Sequence, residues 1–165
     1  MALKGIRTHS GWLMYLTETK KKELLTLKLI EQSNQQARDF IRKKLIEYNM
    51  DQLPDHLKKP KEDISFLLKN DKDEIVGGIT GTIYWDHLHV DFLWVDNRER
   101  SRGNGTKLLN KIEDFARTRG CNFMFLDTFS FQAPEFYQKN GFEVFGTINN
   151  HPVEGHQQYF LIKRF

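Results

Sequence analysis

The chain of 165 residues holds one cysteine and four prolines, and it has no long apolar run. A lone cysteine, Cys121, excludes an internal disulfide and any zinc cage built on several thiolates. No stretch approaches the roughly 20 apolar residues that cross a bilayer. The N-terminus also lacks the apolar core and small-residue cleavage site of a secretory signal. A formal charge of +3 is too small for a protein that coats nucleic acid. These absences lead to the expectation of a soluble cytoplasmic protein with no nucleic-acid or membrane partner. What is present is globular material, 39% apolar and 13% aromatic, enough for one core.

The most informative stretch runs from Val90 to Gly105 and leads into a long amphipathic segment. Phe92 to Val95 is continuously apolar, as in a strand covered on both faces. Asp96 to Arg102 is almost entirely polar. Gly103 and Gly105 remove side chains where the backbone turns, so a ligand can approach the main chain. The spacing of Leu108, Leu109, Ile112, Phe115 and Ala116 then predicts a helix, with Gly120 as its stop. Unpaired N–H groups at the helix start, with the positive end of the dipole behind them, favour an anion. Arg100 and Arg102 add charge beside it. This pattern points to phosphate.

Elsewhere, residues 1–23 read as an extension: Gly11 to Leu16 is apolar and suits a short strand or a contact surface, and Lys20 to Lys22 ends it. Residues 24–165 read as one domain. Leu25 to Glu31 has strand character, and Ser33 with Gln36 suggests a capping box for a helix from Asn34 to about Tyr48. That helix would place Ala37, Phe40, Ile41, Leu45 and Tyr48 on one face. Asp51 to Glu62, with Pro54 and Pro60, reads as a loop. Ile64 to Leu68 alternates as a half-buried strand, and a second strand returns over Glu74 to Tyr84, its Gly77, Gly78 and Gly81 weakening it or admitting a close neighbour. Phe123 to Asp127 is a strand, and Ala133 to Asn140 a short helix with Pro134 at its start and Gly141 past its end. Phe142 to Ile148 and Gln157 to Lys163 are two more strands. The order β-α-β-β-β-α-β-α-β-β implies a mostly antiparallel sheet with one crossover at the glycine turn.

A glycine turn alone has several owners. A P-loop needs GxxxxGK followed by Ser or Thr, which is missing. A dinucleotide fingerprint accommodates Gly103, Gly105 and an acid at Asp127, but its third glycine is Leu108 here, and flanking hairpins do not make a doubly wound sheet.

Arg100-Ser101-Arg102-Gly103-Asn104-Gly105 resembles the acetyl-CoA signature of the GNAT family of N-acetyltransferases, Arg or Gln, two residues, Gly, one residue, then Gly or Ala. Ser130 to Phe142 is similar to that family's second motif, N-x-x-A-x-x-F-Y-x-K-x-G-F, with Ser130 standing where many members have Asn. The resemblance covers roughly Leu24 to Phe165. It implies an α/β fold of the α+β type: a mostly antiparallel mixed sheet splayed between its central strands and flanked by helices. It also implies acetyl-CoA as co-substrate, a small-molecule or peptide amine as acceptor, no metal, and pairing of two copies as an open arrangement. Arg100, Ser101, Arg102, Gly103, Asn104, Gly105 and Thr106 would bind the cofactor, the turn amides from Arg102 to Gly105 holding its pyrophosphate. Leu93, Trp94 and Val95 would offer backbone groups to the pantetheine arm, with Ser130 and Phe136 nearby.

Moving an acetyl group from thioester to amine needs a held donor, a neutral amine, a stabilised oxyanion and a protonated leaving sulfur. A main-chain N–H near Val95 suits the oxyanion. Tyr137 matches the family's general acid. For the base, Asp91 and His89 compete: both sit on the central strand, and an unperturbed imidazole near pKa 6.5 suits the task. Period-2 geometry puts His87, His89 and Asp91 on one strand face, though same-face neighbours on a single strand seldom converge on a metal. Asp127 and Thr128 would line the acceptor side or cap a loop. Tyr84, Trp85 and Asp91 suggest a cationic amine. Arg98 is a candidate for the coenzyme's 3′-phosphate or for a surface ion pair, and Cys121 reads as a buried apolar residue. A non-catalytic acyl-CoA sensor on the same fold is the alternative; it would keep the turn and lose the acid and base.

Overall fold

A computed structural model describes residues 5–8, 11–14 and 27–165, the first two segments by backbone alone. The chain divides into two compact units, Met1–Leu45 and Ile46–Phe165. In the first, β1 (Gly5–Thr8) pairs antiparallel with β2 (Gly11–Met14). Tyr15, Leu16 and the Lys20 to Lys22 run lie outside the described residues, as do Leu25 and the residue after it. Leu27 to Glu31 forms no strand, contrary to its pattern. The helix that follows, α1, spans Gln35–Gln52, four residues longer at its C-terminal end than expected. Its N-terminus is capped by Asn34, whose side-chain oxygen accepts from the Ala37 N–H at 2.7 Å, so the Ser33 capping box is not used. Phe40, Ile41, Leu45 and Tyr48 are all exposed. Asp51 to Glu62 is less loop than expected. Its start is helical, Asp55–Leu57 forms a 3₁₀ turn, and Glu62 already belongs to a strand.

The second unit is built on a six-stranded sheet of β3 (Glu62–Lys69), β4 (Ile75–Tyr84), β5 (His87–Val95), β6 (Phe123–Phe129), β7 (Glu143–Asn149) and β8 (Gln157–Arg164), in the spatial order β3-β4-β5-β6-β8-β7. Every neighbour pair is antiparallel except β5 and β6, joined by the crossover through α2 (Asn104–Thr118). The mostly antiparallel mixed sheet with flanking helices is therefore borne out. A short α3 (Pro134–Lys139) follows β6, with Pro134 in its first turn.

The core lies between α2 and one face of the sheet. Leu108, Leu109, Ile112 and Ala116 of α2 are buried against Ile79, Ile83, Leu88, Val90, Met124 and Leu126. Each large side chain so buried contributes about 1.5–3 kcal/mol. Gly81 sets how closely helix and sheet approach. A Cβ there would stand 2.8 Å from the His89 carbonyl oxygen and 2.9 Å from the Ile112 methyl. The expectation that Phe92 to Val95 is covered on both faces does not hold: Leu93 and Val95 pack on the core, while Phe92 is 75% and Trp94 49% exposed. Leu93 and Val95 pair with Ile79 and Gly77, two of the β4 positions on the α2 side, and the alternation of the strand turns Phe92 and Trp94 the other way.

Glu113 is the charged member of the α2 buried face, its side chain 12% exposed. It accepts from Lys163 Nζ at 2.6 Å and Arg117 at 2.8 Å, fixing β8 to α2. Burial works against its charge, yet hydrogen bonds from Lys163 and Arg117 hold its carboxyl below the ordinary 4.5. A depressed folded pKa stabilises the fold above the unfolded value, and that contribution fades as the pH falls through the folded pKa.

Two stability outcomes follow from this packing. Gly81→Val is expected to cost about 1–3 kcal/mol through overpacking, read as a lower midpoint in denaturant unfolding. Glu113→Gln is expected to destabilise at neutral pH. Its deficit against the wild type should shrink as the pH drops below 4.5, measured by unfolding at a series of pH values.

Candidate active site

Strands β5 and β6 share only three ladder positions, ending at His89 opposite Phe125. Beyond them the strands separate. On its other side β5 stays paired with β4, but the register slips between Val90, opposite Gly81, and Phe92, opposite Thr80. Asp91 is the extra residue of this bulge. Further along, the Asp96 N–H donates to Val76 of β4. Alternation then aims the N–H and C=O of Leu93 and Val95 away from β4, into the gap. Val95's carbonyl is taken there by Arg100, whose Nε donates to it at 2.9 Å.

The gap opens into a cleft of about 950 Å³. One wall is β5 from Val90 to Val95. The far end is the glycine turn, Arg100, Ser101 and Gly103 to Thr106. The other wall comes from Leu126 to Thr128 of β6, Phe131 to Ala133, and Phe136 and Tyr137 of α3. The turn is held by its own side chains. Asp96 accepts from the Arg98 N–H and pairs with its guanidinium at 3.0 Å, which assigns Arg98 to a surface ion pair. Asn104 Nδ2 donates to the Glu99 carbonyl, and Arg102 pairs with Glu99.

The two glycines have separate causes. Gly103 precedes α2 at φ +77°, a conformation most side chains resist, with open space around it. Gly105 has ordinary dihedrals, but a Cβ there would come 3.2 Å from the Phe136 ring. The helical ladder starts with Lys107 donating to Gly103, which leaves the N–H groups of Asn104, Gly105 and Thr106 facing out of the helix end. With Arg100 beside them, they make the cleft's anion-attracting end.

Asp91 and Tyr137 lie along the same cleft. Asp91 accepts from Thr82 Oγ1 at 3.0 Å and is 2.8 Å from His89 Nδ1. Tyr137 packs edge-on against Phe136 and Phe142, and burial pushes its phenol up to about 12, so it holds its proton throughout the physiological range. Of the fifteen residues assigned to catalysis or cofactor binding from the sequence, twelve line the cleft: Asp91, Leu93, Trp94, Val95, Arg100, Ser101, Gly103, Asn104, Gly105, Thr106, Phe136 and Tyr137; the acceptor-side candidates Asp127 and Thr128 line it as well. Three do not. His89 has its ring against Phe125 and its Nδ1 on Asp91, and Arg102 turns to Glu99. Ser130 faces the β7–β8 connection, accepting from the Gln157 N–H at 3.1 Å beside His156. His87 stacks on Phe123, and burial lowers its pKa. Among the described residues no group of three or more His, Cys, Asp or Glu is placed to hold a metal ion.

The cleft also takes in Phe92, Phe131 and Gln132, which sequence reasoning did not single out as site residues. Gln132 Oε1 accepts from Thr128 Oγ1 and the Phe129 N–H, shaping the bend that follows β6. Its position one residue before Ala133 of the second motif was the available signal.

The profile of the acetyltransferase (GNAT) family matches residues 27–142. A blasticidin-S acetyltransferase of Streptomyces morookaense is 36% identical over 106 residues, 64% of this chain and 77% of that one. The crystal structure of an acetyltransferase from Bacillus cereus is 47% identical with a TM-score of 0.79, covering 84% of this chain and 98% of the other. An aminoglycoside 6′-N-acetyltransferase crystallised with coenzyme A, 20% identical, shares the fold at a TM-score of 0.56 over 82% of this chain and 94% of its own. The chain belongs to the GNAT family of acetyltransferases.

Proposed function

We propose that the protein transfers the acetyl group of acetyl-CoA to a primary amine by direct attack in a ternary complex. The observation that carries this reading is the single cleft shared by an anion-attracting helix end, open strand backbone, a carboxylate and a protonated phenol. The free N–H groups of Asn104 to Thr106 would take the pyrophosphate, with Arg100 adding charge. The Leu93 backbone N–H and C=O would hydrogen-bond the pantetheine arm, which supplies the thioester. The Val95 N–H would bind the developing oxyanion.

The cleft is polarised along its length. Arg100 stands at the turn, while Asp91 and Asp127 each lie two residues beyond the last β5–β6 pair, on opposite sides of the gap. Asp127 accepts from the neutral Gln158. Carboxylates here, with Phe92 and Trp94 alongside, favour a cationic amine. The relative named for blasticidin-S supports a small antibiotic-like amine within that class. Asp91 is the base of choice over His89, since it reaches the cleft and His89 does not. It would take a proton from the ammonium, leaving the nitrogen lone pair free to attack. Tyr137 would donate to the departing sulfur. Against a thiol near pKa 8.5, a phenol near 12 gives up its proton only as charge builds on the sulfur.

Thiol release from acetyl-CoA across a panel of amines tests this reading. Turnover is expected, and Tyr137→Phe should lower kcat on the order of 10²-fold while keeping cofactor affinity. An unchanged kcat would remove Tyr137 from the mechanism. Gly103→Glu brings negative charge to the turn, and its backbone strain costs only about 1–2 kcal/mol. It should fold yet show no acetyl-CoA binding in calorimetry; retained affinity would contradict the phosphate assignment.

A further inference from the structure

Asp91 is connected to more than the cleft. A row of polar side chains crosses three strands on the sheet face away from α2: Asp63 of β3 opposite Thr82 of β4, itself opposite His89 of β5. Thr82 Oγ1 stands 3.0 Å from Asp63 Oδ1 and 3.0 Å from Asp91 Oδ2. A hydroxyl has one proton and two acceptor positions, so it donates to one carboxylate at a time. Asp63 has its own cation, Lys61 Nζ at 3.0 Å, and its side chain is 74% exposed. Its oxygen can therefore accept from Thr82 or dispense with it at little cost. The other Asp91 oxygen is occupied by His89 at 2.8 Å. The bulge matters here, because the slip in register leaves Asp91 with no β4 residue opposite it and lets its carboxylate reach Thr82.

We propose that Thr82 is the positioning residue of the reaction, a hydroxyl rotor that supports Asp91 in both of its protonation states, with Asp63 as the alternative acceptor. The inference rests on Asp91 being the base. While Asp91 is a carboxylate, Thr82 donates to Oδ2. When the amine arrives, one N–H bond of the ammonium breaks and one O–H bond forms on Asp91. The electron pair stays on nitrogen, so R–NH₃⁺ and Asp91–COO⁻ become R–NH₂ and Asp91–COOH. With the new proton on Oδ2, the carboxyl O–H swings about its C–O bond toward Thr82, which turns its own proton to Asp63 Oδ1 and accepts through its oxygen. No proton leaves Thr82 and no oxygen loses its partner. Asp91 is about one-third exposed, so water screens part of the cost of an unmatched state, and what the rotor adds is a fixed orientation of the carboxyl group in both states.

The test uses steady-state kinetics of the full chain with the best amine from the panel, alongside circular dichroism. Thr82→Val, which keeps shape and loses the hydroxyl, should lower kcat at least roughly tenfold while KM for acetyl-CoA stays within about twofold. Thr82→Ser should restore most of the rate, which a purely structural role for the threonine methyl would not allow. Asp63→Ala, at an exposed position, should reduce kcat by a smaller factor, and it carries the test if Thr82→Val does not fold. Wild-type kcat in Thr82→Val, or in Asp63→Ala where Thr82→Val is lost, combined with a large loss in Asp91→Asn, overturns the rotor and leaves the base assignment standing. Wild-type kcat in Asp91→Asn overturns the base assignment, and the rotor with it.

Discussion

The site depends on a failure of pairing. Strands β5 and β6 run side by side for three residues and then part, and everything the cleft offers follows from the separation. A central strand normally spends both edges on its neighbours. Here β5 keeps one edge in the ladder with β4 and releases the other from Val90 onward. Leaving such groups unpaired in a dry interior would be costly, so the opening must be wet or filled. The bulge at Asp91 sits at the fork, and it turns the carboxylate toward Thr82 and His89.

Helix α2 holds the fork open from one side. Its buried stripe fills the space against β4, β5 and β6, and Gly81 permits the close approach. The same helix presents its N-terminal N–H groups to the cleft. Core packing and the proposed anion binding are thus two ends of one rigid element. At the other end Glu113 joins α2 to Lys163 of β8, which pairs with β6. The β6 wall is fixed to the helix through a third strand.

Much of this was legible in the residues, where local physics and tertiary demand agree. The α2 stripe, the glycine turn and the Pro134 to Gly141 helix were readable because periodicity and end signals need no distant partner. The expected strand at Leu25 to Glu31 failed over its described part: Leu27 and Leu29 alternate with Lys28 as a strand would, yet both leucines are exposed, so the pattern meets no buried face. Reading Phe92 to Val95 as covered on both faces failed because continuous apolarity has two sources, a sandwiched strand or a binding surface, and Phe92 and Trp94 belong to the second. Ser130 was misplaced from the cleft lining by motif position alone; its hydroxyl is used locally by Gln157. Neither the bulge at Asp91 nor the proximity of Asp63 to Thr82 has a signature in one strand read by itself, since both are properties of register between strands.

The division of labour along the cleft affects how such a protein can change. The turn is bound to the core through α2, and a substitution there disturbs packing as well as the ligand. Phe92, Trp94 and Phe131 stand largely in solvent and belong to no core cluster. Replacing them alters the mouth of the cleft and leaves the interior as it was. Under the proposed function, acceptor preference can therefore change at almost no thermodynamic penalty, while the donor end stays constrained by the requirements of folding. One half of the site is free to diversify because the other half is part of the scaffold.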